Sequence, residues 1–353
     1  MKPDQPGTKG DSDSLVDLRS DTITRPTPGM LEAMFRAEVG DDVLGDDPTV
    51  LRLQQRAADL LGKEAGLFVP SGTMGNQIAI HCQTSPGDEV VAHEHSHIYL
   101  YEAGAPAVLS GCMLKLLPGR AGMITADQVR SAIRPLDSHF PRTRLVVLEN
   151  SHNRGGGTVW DLEAVHRIRG LADEASLRMH LDGARLLNAC IAGGYSAREF
   201  AADFDTVSLC FSKGLGAPVG SVLVGSRSTI ERAHRVRKML GGGMRQAGYL
   251  AAAAIYALDH HVERLAEDHA HARRLAEAIQ TVPGLSVDMT GVQTNIVYFD
   301  VDPKRGSASD LCALLAARDV RMLALGPTTI RAVTHLDVSS SQMDHAIEVL
   351  RSI

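Results

Sequence analysis

Short apolar runs alternate with helical patterns over the first two thirds of the chain. Residues 66–69, 89–92, 145–148, 178–181, 206–211 and 221–224 are apolar runs of strand length. Between them, 74–83, 161–175 and 184–192 carry apolar residues at three- and four-residue spacing, the period of an amphipathic helix. This alternation predicts an α/β fold with a mostly parallel central sheet flanked by helices. A long helical stretch over 247–279 leads away from the sheet. Beyond Pro283 the segments 285–289, 295–300, 308–318, 329–334 and 340–351 predict a smaller C-terminal α+β domain. The expected organisation is a loose tail over 1–15, a large domain over 16–258 and a small one over 259–353.

Composition narrows the function classes. With 353 residues, 44% of them hydrophobic and 22% charged, the chain can bury extended cores. A formal charge of −6, dispersed basic residues and only 4% aromatic residues give no reason to expect a nucleic-acid partner. No apolar run reaches membrane-spanning length, and residues 1–14 lack the apolar core of a secretory signal. Cys82, Cys112, Cys190, Cys210 and Cys312 lie far apart with no C-x-x-C pair, and read as buried, reduced thiols. A cytoplasmic protein is expected.

Chemistry is suggested by three strand ends. In Val207-Ser-Leu-Cys-Phe-Ser-Lys-Gly-Leu-Gly-Ala-Pro-Val-Gly220 an apolar strand delivers Lys213 into a glycine-rich turn, where a lysine suits Schiff-base chemistry with a carbonyl substrate or pyridoxal phosphate. In His180-Leu-Asp-Gly-Ala-Arg185 another strand end presents Asp182. An aspartate there can pair with a protonated pyridine nitrogen, or simply cap the next helix. In Pro70-Ser-Gly-Thr-Met-Gly-Asn76 a strand passes into a helix through a small-residue turn, whose free N–H groups attract phosphate. Phosphate cradle, aspartate and lysine, in that order, describe a pyridoxal phosphate pocket.

Eight ordered blocks then carry a resemblance: Leu18-Arg-Ser-Asp-Thr22, Gly40-Asp-Asp-Val-Leu-Gly-Asp-Asp-Pro-Thr49, Ser71-Gly-Thr73, Glu149-Asn-Ser-His-Asn153, His180 to Arg185, Ser212 to Gly220, Gly241-Gly-Gly-Met-Arg-Gln246 and Val333-Thr-His-Leu-Asp337. From Val16 onward the chain resembles the low-specificity L-threonine aldolases, in the β-eliminating lyase group of fold-type I pyridoxal phosphate enzymes. The resemblance implies retro-aldol cleavage of L-3-hydroxy amino acids to glycine and an aldehyde. It implies that Lys213 binds the cofactor covalently, that Asp182 holds the pyridine nitrogen and that His97 stacks on the ring. Gly72, Thr73 and Ser212 would hold the phosphate, with Lys238 and Arg245 reaching it from a neighbouring subunit of a homotetramer. Arg185 and Arg331 would grip the substrate carboxylate, assisted by Ser20. His97 and His152 are both candidates for the base that takes the hydroxyl proton, with Glu102 a candidate for orienting that hydroxyl.

Two rivals stay open: another pyridoxal phosphate lyase or transferase, such as a β-eliminase, and a non-enzymatic scaffold with a vestigial pocket. No metal site is expected. His93-Glu-His-Ser-His97 would align three imidazoles on one face if extended, yet metal binding also needs fixed outer partners. His260, His261, His269 and His271 read as a solvated helix face. One departure from the family pattern is Leu44, where the loop Gly-Asp-Asp-x-Tyr-Gly usually carries tyrosine. Loss of a phenol removes a hydrogen-bonding group near the substrate's β-substituent, or is a harmless change at a loop tip.

Overall fold

The computed structural model describes residues 15–353, so the expected tail lies outside the described residues except for Leu15. Its strands are β1 (Val16–Asp17), β2 (Ala65–Val69), β3 (Glu89–His93), β4 (Met113–Leu117), β5 (Thr143–Glu149), β6 (Arg178–Gly183), β7 (Thr206–Cys210), β8 (Ser221–Gly225), β9 (Leu285–Ser286), β10 (Ile296–Val301), β11 (Val320–Arg321), β12 (Leu323–Ala324) and β13 (Thr329–Val333). The six apolar runs become β2, β3, β5, β6, β7 and β8. Together with β4 they form a seven-stranded sheet in the order β2-β8-β7-β6-β5-β3-β4. The pairs from β7 through β6, β5 and β3 to β4 are parallel, and β8 runs antiparallel to both neighbours. Every residue of β3, β7 and β8 is buried, as a sheet covered on both faces requires. β4, an edge strand with only Leu117 fully buried, was not among the expected strands, its apolar residues being interrupted by Lys115.

The helix expected over 74–83 starts two residues earlier and spans Gly72–Gln83, because Ser71 Oγ accepts the Met74 N–H as an N-cap. The helical stretch expected over 247–279 is interrupted. Gly248–His260 and Leu265–Gln280 are separate helices, and between them the buried His261 ring turns inward to donate from Nδ1 to the Leu215 carbonyl at 2.7 Å. The solvated-face reading therefore fails for three of the four histidines. His269 Nε2 bonds Asn188 Oδ1 and His271 Nε2 bonds Ser340 Oγ, and only His260 is exposed.

The C-terminal segments build an antiparallel sheet in the order β12-β13-β10-β9, against which the helices Leu265–Gln280 and Ser340–Arg351 pack. Val16 and Leu18 join this second core, because β1 pairs with β11 in parallel. The five cysteines are free; Cys82, Cys112 and Cys210 are buried, and Cys190 and Cys312 only partly so. No helix among the described residues is long and apolar enough to cross a membrane.

Candidate active site

One edge of the central sheet collects the sequence-derived residues. β2 ends before Ser71, Gly72 and Thr73; β3 before His97; β5 before Asn150 to Asn153; β6 at Asp182 and Gly183, just ahead of Arg185; and β7 before Ser212 and Lys213. These are the carboxyl ends of strands that point the same way, the edge at which open α/β sheets bind ligands. The segment after β1 crosses the same edge, with Thr24 Oγ1 donating to the Lys213 carbonyl at 2.8 Å.

Asp182 is buried and does not cap the following helix. That helix begins at Leu186 without a side-chain cap, while Asp182 Oδ1 accepts the Ala184 N–H at 3.1 Å and Oδ2 accepts from Asn76 Nδ2 at 2.8 Å. Burial acts to raise its pKa, but the charges of His97 and Lys213 and the Asn76 hydrogen bond outweigh it and hold the carboxyl below the ordinary range. An ionised carboxylate at this place is what a protonated pyridine nitrogen needs opposite it.

Beside it, His97 Nδ1 donates to Glu102 Oε1 at 2.8 Å, and the His97 backbone N–H donates to Glu149 Oε2 at 2.8 Å. Glu102 is buried, and its carboxylate also accepts from Asn76 Nδ2 at 2.9 Å and Gln77 Nε2 at 2.5 Å. Its oxygens are thus committed to protein donors. Burial pulls the His97 pKa down, but the Glu102 hydrogen bond and the charges of Asp182 and Glu102 leave it raised. With Nδ1–H fixed on a carboxylate, Nε2 of the neutral ring keeps its lone pair.

His152 has the opposite arrangement. Its Nδ1 accepts the Gly155 N–H at 2.9 Å, so the proton of the neutral ring sits on Nε2, which is buried without a hydrogen-bond partner and lies 3.8 Å from Glu149 Oε2. The aligned imidazoles do not form, because the chain turns after β3: His93 Nδ1 accepts the His95 N–H and Nε2 donates to the Gly119 carbonyl, leaving no nitrogen for a metal. Ligand atoms of His97, Glu102 and Asp182 lie within 4.8 Å of one another, but the Asn76, Gln77 and His97 donors already face these carboxylates.

The two arginines differ. Arg185 turns one edge of its fork to Asp21, with Nε and Nη2 at 2.7 and 2.5 Å, in a pair buried on both sides. Burial acts to raise the Asp21 pKa, but Arg185 and Lys213 lower it to about 2. Arg331, on β13, donates from Nη1 to Asn153 Oδ1 and from Nη2 to the Arg19 carbonyl, both at 3.0 Å. Its Nε is buried with no partner, an unfilled donor of the kind a carboxylate satisfies. Ser20 Oγ is engaged locally, accepting the Thr22 N–H and bonding Thr22 Oγ1.

At the start of the helix Gly72–Gln83, the N–H groups of Gly72 and Thr73 belong to the first turn and have no intrahelical acceptor. A Cβ on Gly72 would lie 3.6 Å from Ser221 Oγ, a buried hydroxyl without a hydrogen-bond partner. Free donors and an orphaned hydroxyl beside a glycine fit a phosphate, so the residues present suit pyridoxal phosphate at both its phosphate and its ring nitrogen. Leu44, Lys238 and Arg245 lie where the loop 41–45 meets the segment 238–245. Arg245 Nη1 bonds Asp41 Oδ2 at 2.8 Å, a Cβ on Gly243 would touch Val43 and Lys238, and the Leu44 side chain is 75% exposed.

Asp21, Asn76, Gln77, Glu149 and Ser221 were missed by the sequence reading. For Asn76 and Gln77 a signal existed: two buried polar residues leading into the apolar Ile78-Ala-Ile80 of a helix have to find polar partners.

A mostly parallel sheet with this constellation at its carboxyl edge defines a fold-type I pyridoxal phosphate enzyme. The β-eliminating lyase family model matches residues 17–302. The low specificity L-threonine aldolase of Escherichia coli K12 is 45% identical over 330 residues, which cover 93% of this chain and 96% of that protein. Low-specificity L-threonine aldolase 1 of Arabidopsis thaliana is 44% identical over 338 residues, or 94% of each. Among solved structures, a threonine aldolase of Leishmania major superposes with a TM-score of 0.81 at 20% identity, covering 95% of this chain and 98% of that one. The chain belongs to the β-eliminating lyase family and, within it, to the low-specificity L-threonine aldolases.

Proposed function

We propose that the protein cleaves L-3-hydroxy amino acids between Cα and Cβ, releasing an aldehyde and leaving glycine. The observation that carries this reading is the buried, ionised Asp182 set between Asn76, His97 and Lys213 at the carboxyl edge of the sheet. Pyridoxal phosphate, when bound, supplies an electron sink for the pair left on Cα. Lys213 would hold it through its amine, Asp182 at the ring nitrogen, and Gly72, Thr73, Ser212 and Ser221 at the phosphate. Arg331 and the free edge of Arg185 bind the substrate carboxylate, and Asp21 keeps the Arg185 fork from rotating.

His97 accepts the hydroxyl proton at Nε2, so that the oxygen's electron pair becomes the carbonyl of the leaving aldehyde as the Cα–Cβ bond breaks. The tautomers support this choice, since Nε2 of His97 offers a lone pair where Nε2 of His152 carries a proton. His152 then serves as a donor, and Glu102 acts through His97. The pH dependence tests that division. Below its pKa His97 is protonated and cannot take the proton, so kcat/KM falls as pH falls through it. Glu102→Gln removes the charge that raises this pKa, and the acid limb of the profile is expected to move to lower pH. A limb that stays in place assigns the titration to another group.

The active site is shared between subunits of a homotetramer in the cytoplasm, with Lys238 and Arg245 of one chain completing the phosphate site of another. The grouping of these two residues with the exposed Leu44 supports this arrangement. On that basis Leu44 borders the β-substituent. Leu44→Tyr is expected to shift the kcat/KM ratio from 3-phenylserine towards threonine by about tenfold. An unchanged ratio returns Leu44 to the role of a loop tip.

Product analysis tests the activity itself. Threonine and 3-phenylserine should each yield glycine and the matching aldehyde in equal amounts; ammonia with a 2-oxo acid would instead identify a β-eliminase.

A further inference from the structure

A cavity of about 620 Å³ opens at the opposite edge of the central sheet, where the parallel strands begin. Its lining includes Lys63, Gln83, Arg142, Arg144, Arg178 and Arg232, together with the start of the 13-residue helix Arg227–Met239. The wall also holds three acids, each facing a protein donor. Glu64 accepts the Arg227 N–H at 2.8 Å, Asp88 the Ser85 N–H at 2.8 Å, and Asp205 bridges Arg169 and Arg178 at 3.1 and 2.7 Å. Lys63 Nζ donates to the Phe204 carbonyl at 2.6 Å. The side chains of Arg142 and Arg144, at the start of β5, and of Arg232, on the helix, line one cavity and make no hydrogen bond or ion pair within the described residues. Three unpaired guanidinium groups along one cavity wall offer more donors than a planar carboxylate, which a single fork satisfies, and suit a tetrahedral dianion.

Gln83 ties the cavity wall to the interior of the sheet. It is more than nine-tenths buried, lines the cavity, and its Oε1 has no hydrogen-bond partner. Its Nε2 donates to Thr206 Oγ1 at 2.8 Å, and that hydroxyl lies 2.8 Å from His180 Nδ1. His180 Nε2 lies 3.1 Å from Asn76 Oδ1, and Asn76 Nδ2 donates to Asp182 Oδ2 at 2.8 Å. The directions of these bonds are determined. Asn76 turns its amino group to the carboxylates, so its Oδ1 must accept from His180 Nε2–H, and His180 Nδ1 must accept from the Thr206 hydroxyl. Burial lowers the His180 pKa to about 4, so the ring is neutral, as this chain of donors requires. One polarised relay of buried groups therefore runs from the wall of the cavity to the carboxylate opposite the cofactor nitrogen.

We propose that this cavity is an effector site for a small phosphate-bearing molecule, held by Arg142, Arg144 and Arg232 and joined to Asp182 through Gln83, Thr206, His180 and Asn76. A dianion in the cavity changes the field on the Gln83 amide, and the relay passes that change to Asp182.

The test uses the holoenzyme, with inorganic phosphate as probe and malonate as a dicarboxylate comparison, by titration calorimetry at low ionic strength. Saturable binding with a Kd on the order of 1 mM or below is expected for phosphate. Arg144→Gln combined with Arg232→Gln should weaken it by about tenfold or more, while Arg235→Gln, on the same helix but outside the cavity, leaves it unchanged. An absence of saturable binding, or equal affinity in the double variant, overturns the site. Tighter binding of malonate than of phosphate overturns the ligand class. For the relay, the visible band of the bound cofactor is titrated against pH with and without phosphate. A phosphate-induced shift on the order of half a pH unit in the wild type, lost in Thr206→Val although phosphate still binds, supports the coupling. No shift in the wild type, or a shift retained in Thr206→Val, overturns it.

Discussion

Replacing Lys213 by alanine is expected to lower cleavage of threonine and 3-phenylserine by on the order of 10³-fold or more, because on the proposed roles the variant loses both the covalent anchor and the amine that exchanges with substrate. The backbone around it should survive. The turn is held by the Gly216 N–H on the Lys213 carbonyl at 2.8 Å, the Ala217 N–H on the Phe211 carbonyl at 3.0 Å, and Thr24 Oγ1 on the Lys213 carbonyl, none of which uses the lysine side chain. A folded protein with an unchanged far-ultraviolet spectrum and almost no aldehyde release is the expected result. Turnover within tenfold of the wild type would remove Lys213 from the chemistry.

Arg331→Lys is expected to be the next most damaging change. The guanidinium is positioned by Asn153 and the Arg19 carbonyl with Nε left over, and an ammonium on a flexible stem reproduces neither the fork nor its orientation. Loss of one charged hydrogen-bonding partner costs about 2–4 kcal/mol, or ~30- to 900-fold in kcat/KM. Arg331 is a cleaner probe than Arg185. Removing Arg185 strands the buried Asp21 carboxylate, and breaking such a pair costs about 3–5 kcal/mol of stability, which would be confounded with any loss of binding. Kinetics near wild type in Arg331→Lys, with the cofactor retained, would place the carboxylate elsewhere.

Much of the site could be read from the sequence because Ser71 to Thr73, Asp182 and Lys213 lie at or just beyond the ends of strand-length runs. Lys213 and Asp182 could be located from runs that the structure turns into β7 and β6, and Ser71 to Thr73 from the run that became β2. What escaped was set by contacts between distant segments. Asp21 lies 164 positions from Arg185, and nothing near either residue announces the pair. Asn76 reaches Asp182 over 106 positions, although its burial inside an apolar helix was a usable hint. The tautomers of His97 and His152 depend on Glu102 and on the Gly155 N–H, so residue type alone left the base undecided. The helix that periodicity had drawn as continuous is broken where His261 turns inward to a tertiary hydrogen bond with Leu215, a contact that local sequence does not announce.

If the strand-end constellation around Lys213 is the active site, borohydride reduction of the holoenzyme followed by peptide mapping will find the cofactor there. The expected result is a single pyridoxyl label on Lys213, with loss of activity in proportion to labelling. A label on Lys238 or any other lysine, with Lys213 unmodified, would contradict it.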